Sequence, residues 1–330
     1  MRVLVAGGAG YIGSHTCKML AAAGHAPIVF DNLHTGHEWA AKWGPFERGD
    51  INDPQALAAV LVRHRPEAVI NFAALAYVGE SNREPTRYYR TNVGGLLTLV
   101  EAMRTHGVGK MVFSSSCATY GVPASLPIVE GLHQEPINPY GRSKLMGEQV
   151  LRDACAAHGL GAVALRYFNA AGADIDGETG EEHDPETHLI PLVLQAAHGE
   201  RPHIAVFGTD YDTPDGTCIR DYVHVADLAT AHVAALGACG ESQFAAYNLG
   251  AGRGTSISEV IAKAREITRR RIAVTAEGRR PGDPPVLVAD ATLARSALDW
   301  TPRHSDLDTM IETAWRWMTE HRSRAMRRAA

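Results

Sequence analysis

The 330-residue sequence predicts an α/β chain, a doubly wound parallel sheet with a smaller C-terminal mixed α/β unit. Three observations carry that reading. An apolar run near the start passes into a glycine turn and then a helix. Buried-type strands alternate with helices as far as residue 169, and from about Ala170 the rhythm breaks into polar, glycine-rich sequence, Gly172 to Thr187. Such alternation favours a parallel sheet covered on both faces, with ligands at the carboxyl ends of its strands. The division therefore falls at 1–169 and 170–330, with segments of roughly 204–249 expected to be able to rejoin the first unit.

Val3 to Ala6 reads as the first strand, and Ile12 to Ala23 as a helix stopped by Gly24. Between them, Gly7, Gly10 and Gly13 fit G-x-x-G-x-x-G, and Gly8, Gly10 and Gly13 fit G-x-G-x-x-G. Missing side chains let the backbone turn tightly and approach a pyrophosphate at a helix N-terminus. An ordinary glycine turn is the plain alternative, but the flanking strand and helix favour the phosphate. Pro27 to Phe30 is a second strand ending in Asp31, 18 residues after Gly13. A carboxylate there accepts from adenosine ribose hydroxyls and repels a 2′-phosphate, which favours NAD over NADP. Phe46 to Gly49 is a third strand leaving through Asp50 and Ile51, with Asp50 placed to meet the adenine edge. A helix from Pro54 to Arg65 precedes the strand Ala68 to Phe72, which leads into Ala73 and Ala74, small enough to run beside a dinucleotide. One long helix, Glu84 to His106, carries Asn92 and precedes the strand Lys110 to Phe113.

That strand delivers the serines Ser114, Ser115 and Ser116, followed by Cys117-Ala-Thr-Tyr-Gly121. Serine clusters are often turn chemistry, but a hydroxyl at a strand end can also bond a substrate alkoxide or share a proton with a base. Asn138 and Pro139 then signal a helix start, placing Tyr140 and Lys144 four residues apart on one face. A tyrosine titrates near pH 10, so acting as a base at neutrality needs a downward shift of about 3 units, about 4 kcal/mol. Lys144 is one charge able to help, and an oxidised nicotinamide would be another. The last strand of the alternating part, Ala162 to Tyr167, ends in Phe168 and Asn169.

In the second half, short strands and helices are expected at Ile204 to Phe207, Val225 to Leu236, Tyr247 to Leu249, Ser256 to Thr268, Pro285 to Ala289 and Leu307 to Met318. Trp300, Trp315 and Trp317 read as packing residues. Arg220 and Arg280 lie in separate motifs, Gly216-Thr-Cys-Ile-Arg-Asp-Tyr222 and Arg279-Arg-Pro-Gly-Asp283. Guanidinium forks bind diphosphate oxygens in pairs, so two from different loops suit a nucleotide-sugar clamp; surface ion pairs are the alternative.

Bulk properties narrow the classes. A formal charge of −5 argues against a nucleic-acid surface, and the basic run Arg322 to Arg328 reads as a solvated tail. Five widely spaced cysteines without a C-x-x-C pair suggest reduced thiols and a cytoplasmic protein. No signal-like segment and no run of 18 apolar residues is present, so no membrane partner is expected. His34 and His37 are the closest-spaced pair with possible ligand geometry; with no second Cys or His cluster to support them, no metal is expected.

Together Gly8-Ala-Gly-Tyr-Ile-Gly-Ser-His15, Asp31-Asn-Leu33, the serines before Tyr120-Gly121, Tyr140-x-x-x-Lys144, Arg166-Tyr-Phe-Asn169 and the two arginine motifs closely resemble the UDP-glucose 4-epimerase family of extended short-chain dehydrogenases/reductases. The resemblance spans nearly the whole chain and implies a Rossmann domain with a UDP-sugar-binding domain. It implies a firmly held NAD that is reduced and reoxidised in each turnover while the 4-keto sugar turns over. By position, Tyr140 becomes the base, Ser116 its partner and Lys144 the ammonium that lowers its pKa and holds the nicotinamide ribose. The dinucleotide site it implies comprises Gly7, Gly10, Tyr11, Ile12, Gly13, Asp31, Asn32, Asp50, Ile51, Phe72, Ala73, Ala74, Asn92, Ser114, Tyr140, Lys144 and Tyr167. The UDP-sugar site comprises Ser116, Tyr140, Asn169, His188, Leu189, Phe207, Arg220, Arg280 and Asp283, and a homodimer is implied through helices near 84–106 and 139–158. Related 4,6-dehydratases carry an Asp-Glu pair where this chain has Cys117 and Ala118, so elimination is disfavoured. Ala76 stands where a cofactor-contacting lysine is frequent, His188 replaces a frequent asparagine, and Leu287 lies where room for an N-acetyl group is set. The alternatives are a 4-epimerase for another UDP-sugar (UDP-GlcNAc, UDP-xylose/arabinose, UDP-glucuronate) and a non-catalytic NAD-sensing module.

Overall fold

The computed structural model describes residues 1–280 and 283–329, with side chains through residue 321. Strands β1 (Arg2–Ala6), β2 (Ala26–Asp31), β3 (Phe46–Arg48), β4 (Ala68–Asn71), β5 (Lys110–Ser116) and β6 (Gly161–Tyr167) alternate with helices α1 (Tyr11–Ala22), α2 (Pro54–His64), α3 (Val78–Arg83), α4 (Pro85–Tyr88), α5 (Gly95–Thr105) and α6 (Pro139–His158). After β7 (Asn169–Ala171) come α7 (Leu189–His198), β8 (Ile204–Phe207), β9 (Ile219–His224), α8 (Val225–Gly237), β10 (Phe244–Leu249), β11 (Gly254–Ser256), α9 (Ile257–Thr268), β12 (Val274–Glu277), β13 (Val286–Leu287), α10 (Thr292–Ala297) and α11 (Leu307–Ala329).

Seven strands form one parallel sheet in the order β10-β6-β5-β4-β1-β2-β3. Consecutive residues of a strand face opposite sides, so Val3 and Val5 enter one core and Leu4 and Ala6 the other. The first core packs Cys17 and Leu20 of α1 and Leu228, Ala231 and Ala235 of α8; the second packs α2, α5 and α6 through Leu57, Leu61, Leu99, Met103 and Leu151. The order of strands reverses between β1 and β4, which opens a crevice at their carboxyl ends. Of residues 204–249, α8 and β10 join this sheet, while β8 pairs with β12 and β9 joins a small sheet with β7, β11 and β13. A separate core of Val193, Leu194, Val206, Tyr222, Val260, Ile261 and Ile311 holds the smaller part together.

The expected single helix from Glu84 to His106 is instead α4, a π-helical stretch Tyr89–Gly94, and α5. The extra residue per turn changes the helix phase and turns Asn92 inward. Its amide accepts from Leu75 N at 2.8 Å and donates to Leu75 O at 3.0 Å and Ser143 Oγ at 2.9 Å. The expected strand Pro285 to Ala289 is only the two-residue β13 plus a bridge from Ile128 to Ala289. Trp300 and Trp317 are buried and Trp315 packs beside the smaller core. Helix α11 continues through the basic run 322–328, whose side chains lie outside the described residues, as do Pro281 and Gly282 of the second arginine motif.

Candidate active site

At the carboxyl end of β1 the chain turns through Gly7, whose φ is +78°. A Cβ on Gly7 would meet Ala73 N at 2.7 Å, and one on Gly13 would meet Gly7 O at 2.2 Å, so side chains here would fill the space between turn, helix and the segment after β4. Helix α1 starts at Tyr11 with no capping side chain and no acidic residue in its first turn. Its free N–H groups and positive dipole end suit a diphosphate, and the residues fit a dinucleotide. Tyr11 donates to Gly172 O at 2.6 Å, tying the turn to the loop after β7, while Ile12 packs against the first core.

Asp31 ends β2 as a buried carboxylate. Its oxygens accept from Ala9 N at 3.0 Å and Leu33 N at 2.8 Å, and each keeps a lone pair for a ribose hydroxyl. Burial raises its pKa, opposed by those two N–H bonds. Asn32 donates to Asp50 at 2.8 Å, joining the exits of β2 and β3; Ile51 is buried beneath them. Phe72, Ala73 and Ala74 line the exit of β4, where the Phe72 ring lies 4.6 Å from that of His232. Asn92 spends both its amide protons on protein atoms, tying the segment after Ala74 to α6.

Helix α6 carries the reacting pair. Asn138 Oδ1 caps Gly141 N at 2.8 Å with Pro139 at the first helical position, as the sequence signalled. Gly141 lets the helix approach the turn after β5, because a Cβ there would lie 2.4 Å from Ala118 O. Tyr140 thus comes beside Ser116, whose hydroxyl opposes the rise of the phenol's pKa. Ser116 Oγ accepts from Ala118 N at 3.1 Å. Lys144 is buried, donates to Ser114 O at 2.7 Å, and stands 5.8 Å from the centre of the Tyr140 ring. Ser114 Oγ bonds the Tyr167 hydroxyl at the end of β6.

Desolvation dominates the electrostatics. It pushes Tyr140 up to about 12, against the lowering effect of Ser116, and Lys144 down to about 7. The protein's own groups therefore leave the phenol protonated, and Lys144 alone does not make it a neutral-pH base. Cys117, also pushed up to about 12 by burial, is a neutral thiol with neither the acid nor the base strength for elimination.

What fixes α6 is a residue the sequence reading passed over. Glu148, four residues after Lys144 on the same buried side, accepts from Arg166 Nε at 2.9 Å, Arg166 Nη2 at 2.6 Å and Ser115 Oγ at 2.5 Å. Its position one turn beyond the lysine was the available signal.

The small sheet groups several of the substrate candidates. Asn169 pairs with Tyr222, and Arg220 pairs with Leu287. Arg220 is buried, with Nη2 on Asp283 Oδ1 at 2.5 Å and Nη1 on Ile219 O at 2.8 Å. Arg280 stacks over Phe207, 4.0 Å from the ring centre. Arg280 and Asp283 line an open cavity of about 740 Å³ with Asp210, Tyr211 and Arg279. Leu287 packs with Cys117 and Phe168, and Ala76 is exposed. His188 precedes Leu189 at the start of α7, its Nδ1 at 2.8 Å from Glu181 and 3.0 Å from Glu186; burial opposes its charge, but these carboxylates hold its pKa at about 10. His34 and His37 do not converge. They bond Arg87 at 2.7 Å and Glu182 O at 3.0 Å respectively.

A glycine cradle, a ribose-side carboxylate and a Ser-Tyr-Lys set on one crevice define a class, and residues 3–250 match the model of the NAD dependent epimerase/dehydratase family. The chain belongs to that family. Within it, the chain is 52% identical over 316 residues to the UDP-glucose 4-epimerase of Rhizobium meliloti (strain 1021), covering 96% of each. It superposes on the UDP-glucose 4-epimerase from Brucella ovis in complex with NAD with a TM-score of 0.92 at 56% identity, over 96% of this chain and 97% of that one. The Bifidobacterium longum UDP-glucose 4-epimerase in complex with NAD+ and UDP gives a TM-score of 0.93 at 38% identity, over 98% and 99%.

Proposed function

We propose that this chain is an NAD-dependent isomerase that interconverts UDP-galactose and UDP-glucose by inverting C4 of the sugar. The observation that carries the reading is the Ser116–Tyr140–Lys144 set at the end of β5, with the adjoining Cys117 within electrostatic reach of Arg220. Bound in the cradle of Gly7, Gly10 and Gly13 with Asp31 on its ribose, NAD supplies the acceptor and then the donor of the C4 hydride. Tyr140 takes the proton of the 4-hydroxyl and gives it back; Ser116 shares that proton and orients the oxygen. Lys144 contributes positive charge below the phenol. Arg220, Arg280, Asn169 and the start of α7 hold the diphosphate, with Phe207 on the base side, leaving the hexose free to turn. With no acid/base pair at 117–118, returning the hydride is the course open to the ketone.

The proposed division is residues 1–169, with α8 and β10 rejoining, as the cofactor unit and the remainder as the UDP-sugar unit. We also propose a cytoplasmic homodimer through α5 and α6, whose Leu97 and Met146 are 49% and 40% exposed; among the described residues no helix is long and apolar enough to cross a membrane. Specificity constants across UDP-galactose, UDP-N-acetylgalactosamine, UDP-xylose and UDP-glucuronate test the substrate. UDP-galactose should lead, and a larger constant for another sugar would reassign it.

A further inference from the structure

Among the described residues two clusters gather three or more metal-ligating side chains, and they differ in what already fills them. Asp174, Asp176 and Glu178 surround the Lys18 ammonium at 2.8, 2.7 and 2.7 Å, so their cation is part of the protein. Glu181, His183, Glu186 and His188 lie in the loop between β7 and α7, spaced E-x-H-x-x-E-x-H. There the ion-pair partners of the carboxylates, among the described residues, are the two imidazoles themselves.

The atoms converge in a particular way. His183 Nδ1 lies 3.2 Å from Glu181 Oε1 and 3.6 Å from Glu186 Oε2, while His188 Nδ1 lies 2.8 Å from Glu181 Oε1 and 3.0 Å from Glu186 Oε1. A tetrahedral zinc with bonds of about 2.0–2.2 Å separates its ligand atoms by about 3.3–3.6 Å; the two His183 separations, 3.2 and 3.6 Å, sit near those edges, and the two His188 separations, 2.8 and 3.0 Å, would open by a few tenths of an ångström to admit the metal. The Glu181 and Glu186 side chains are only 7% and 4% exposed. Despite these short approaches, Glu181 Oε1 and His183 Nδ1 make no hydrogen bond and are buried. Buried polar atoms are seldom left so. Glu186 Oε1 is already engaged by Thr187 N, His188 N and His188 Nδ1, but the two unpartnered atoms face the same small volume, with all four ligand atoms within 4.8 Å of one another, and two imidazole nitrogens with two carboxylates are a donor set that suits zinc.

We propose that Glu181, His183, Glu186 and His188 form a closed, structural zinc site. The metal braces the loop between β7 and α7. The His183 ring meets the rings of Tyr11 and Tyr77 edge-on at 6.4 and 6.1 Å, so the brace extends to the phosphate turn, and His188 carries it to the first residue of α7.

The test uses the full chain purified without a polyhistidine tag, and none of its readouts is turnover of a UDP-sugar, so its failure is separate from that of the functional reading. Elemental analysis should find one zinc per chain. After chelation, zinc chloride should restore one equivalent and raise the melting temperature, and cobalt chloride should give the visible bands of a tetrahedral site. His183→Gln and Glu181→Gln should lose the metal, whereas Lys18→Met, in the neighbouring cluster, should keep it. If either of the first two variants folds poorly, the cobalt spectrum of the wild-type chain still decides the matter. A wild-type chain that takes up neither zinc nor cobalt overturns the proposal and leaves an imidazolium–carboxylate network, as does undiminished metal in both His183→Gln and Glu181→Gln.

Discussion

The two sides of the crevice are built on opposite principles. On the large-sheet side the site is mostly backbone: a glycine turn, an uncapped helix end and small residues, with few side chains, each held by a short-range partner. On the smaller side it is mostly side chain: Arg220 comes from β9, Arg280 and Asp283 from the loop between β12 and β13, and all three are already engaged with one another or with an aromatic ring. Backbone geometry is rigid and specifies one cofactor shape. Charged side chains that must exchange internal partners for a ligand can adapt, which suits a site where a sugar has to be held by its diphosphate and yet turn.

The largest break in that comparison comes from the chemical centre. Tyr140→Phe removes the acid/base and should lower turnover about 10²- to 10⁴-fold while the melting temperature and NAD content stay near wild type; undiminished kcat would refute the role. Glu148→Ala attacks the support of the same helix. It strands Arg166, buried at 3% exposure, without its carboxylate and should cost about 3–5 kcal/mol in urea unfolding; a loss under 1 kcal/mol would show that the pair does not fix α6.

Acid should weaken the protein through buried histidines. Burial lowers His15 to about 4, His224 to about 3 and His232 to about 4. Their folded pKa values lie below the unfolded value of about 6.5, so the unfolded chain gains protons first, and stability present above pH 6.5 is lost as the pH falls through 6.5 toward 4. Unfolding free energies from urea titrations at pH 7.5 and 5 should differ by about 2 kcal/mol per histidine, and equal free energies would contradict the assignment. The smallest effect belongs to the adaptable side. Arg220→Lys keeps the charge but loses the fork, and should raise KM by about tenfold with kcat little changed; a kcat defect instead would place Arg220 in the chemistry.

The same contrast explains what the sequence reveals. The glycine turn, Asp31 and the Tyr140/Lys144 pair are legible because each depends on local spacing that one helix or one strand end converts directly into geometry. Asn92 is not, because its inward turn depends on a π-helical stretch that no hydrophobic period marks. Strands β7 and β11, three residues each, and the two-residue β13 carry too few side chains for an alternation to show, so the register that sets Arg220 beside Leu287 emerges only from the fold. The Glu181 to His188 segment reads as a polar loop until its four side chains are seen to face one point. Glu148 is legible in hindsight only, as one more buried helix position.

The central claim is that this crevice inverts C4 with a cofactor the protein retains. The most direct measurement gives the purified protein UDP-galactose with no added cofactor and follows the anomeric protons by NMR. Growth of UDP-glucose signals toward an equilibrium mixture is the predicted result. Absence of UDP-glucose even after NAD is supplied would contradict the account.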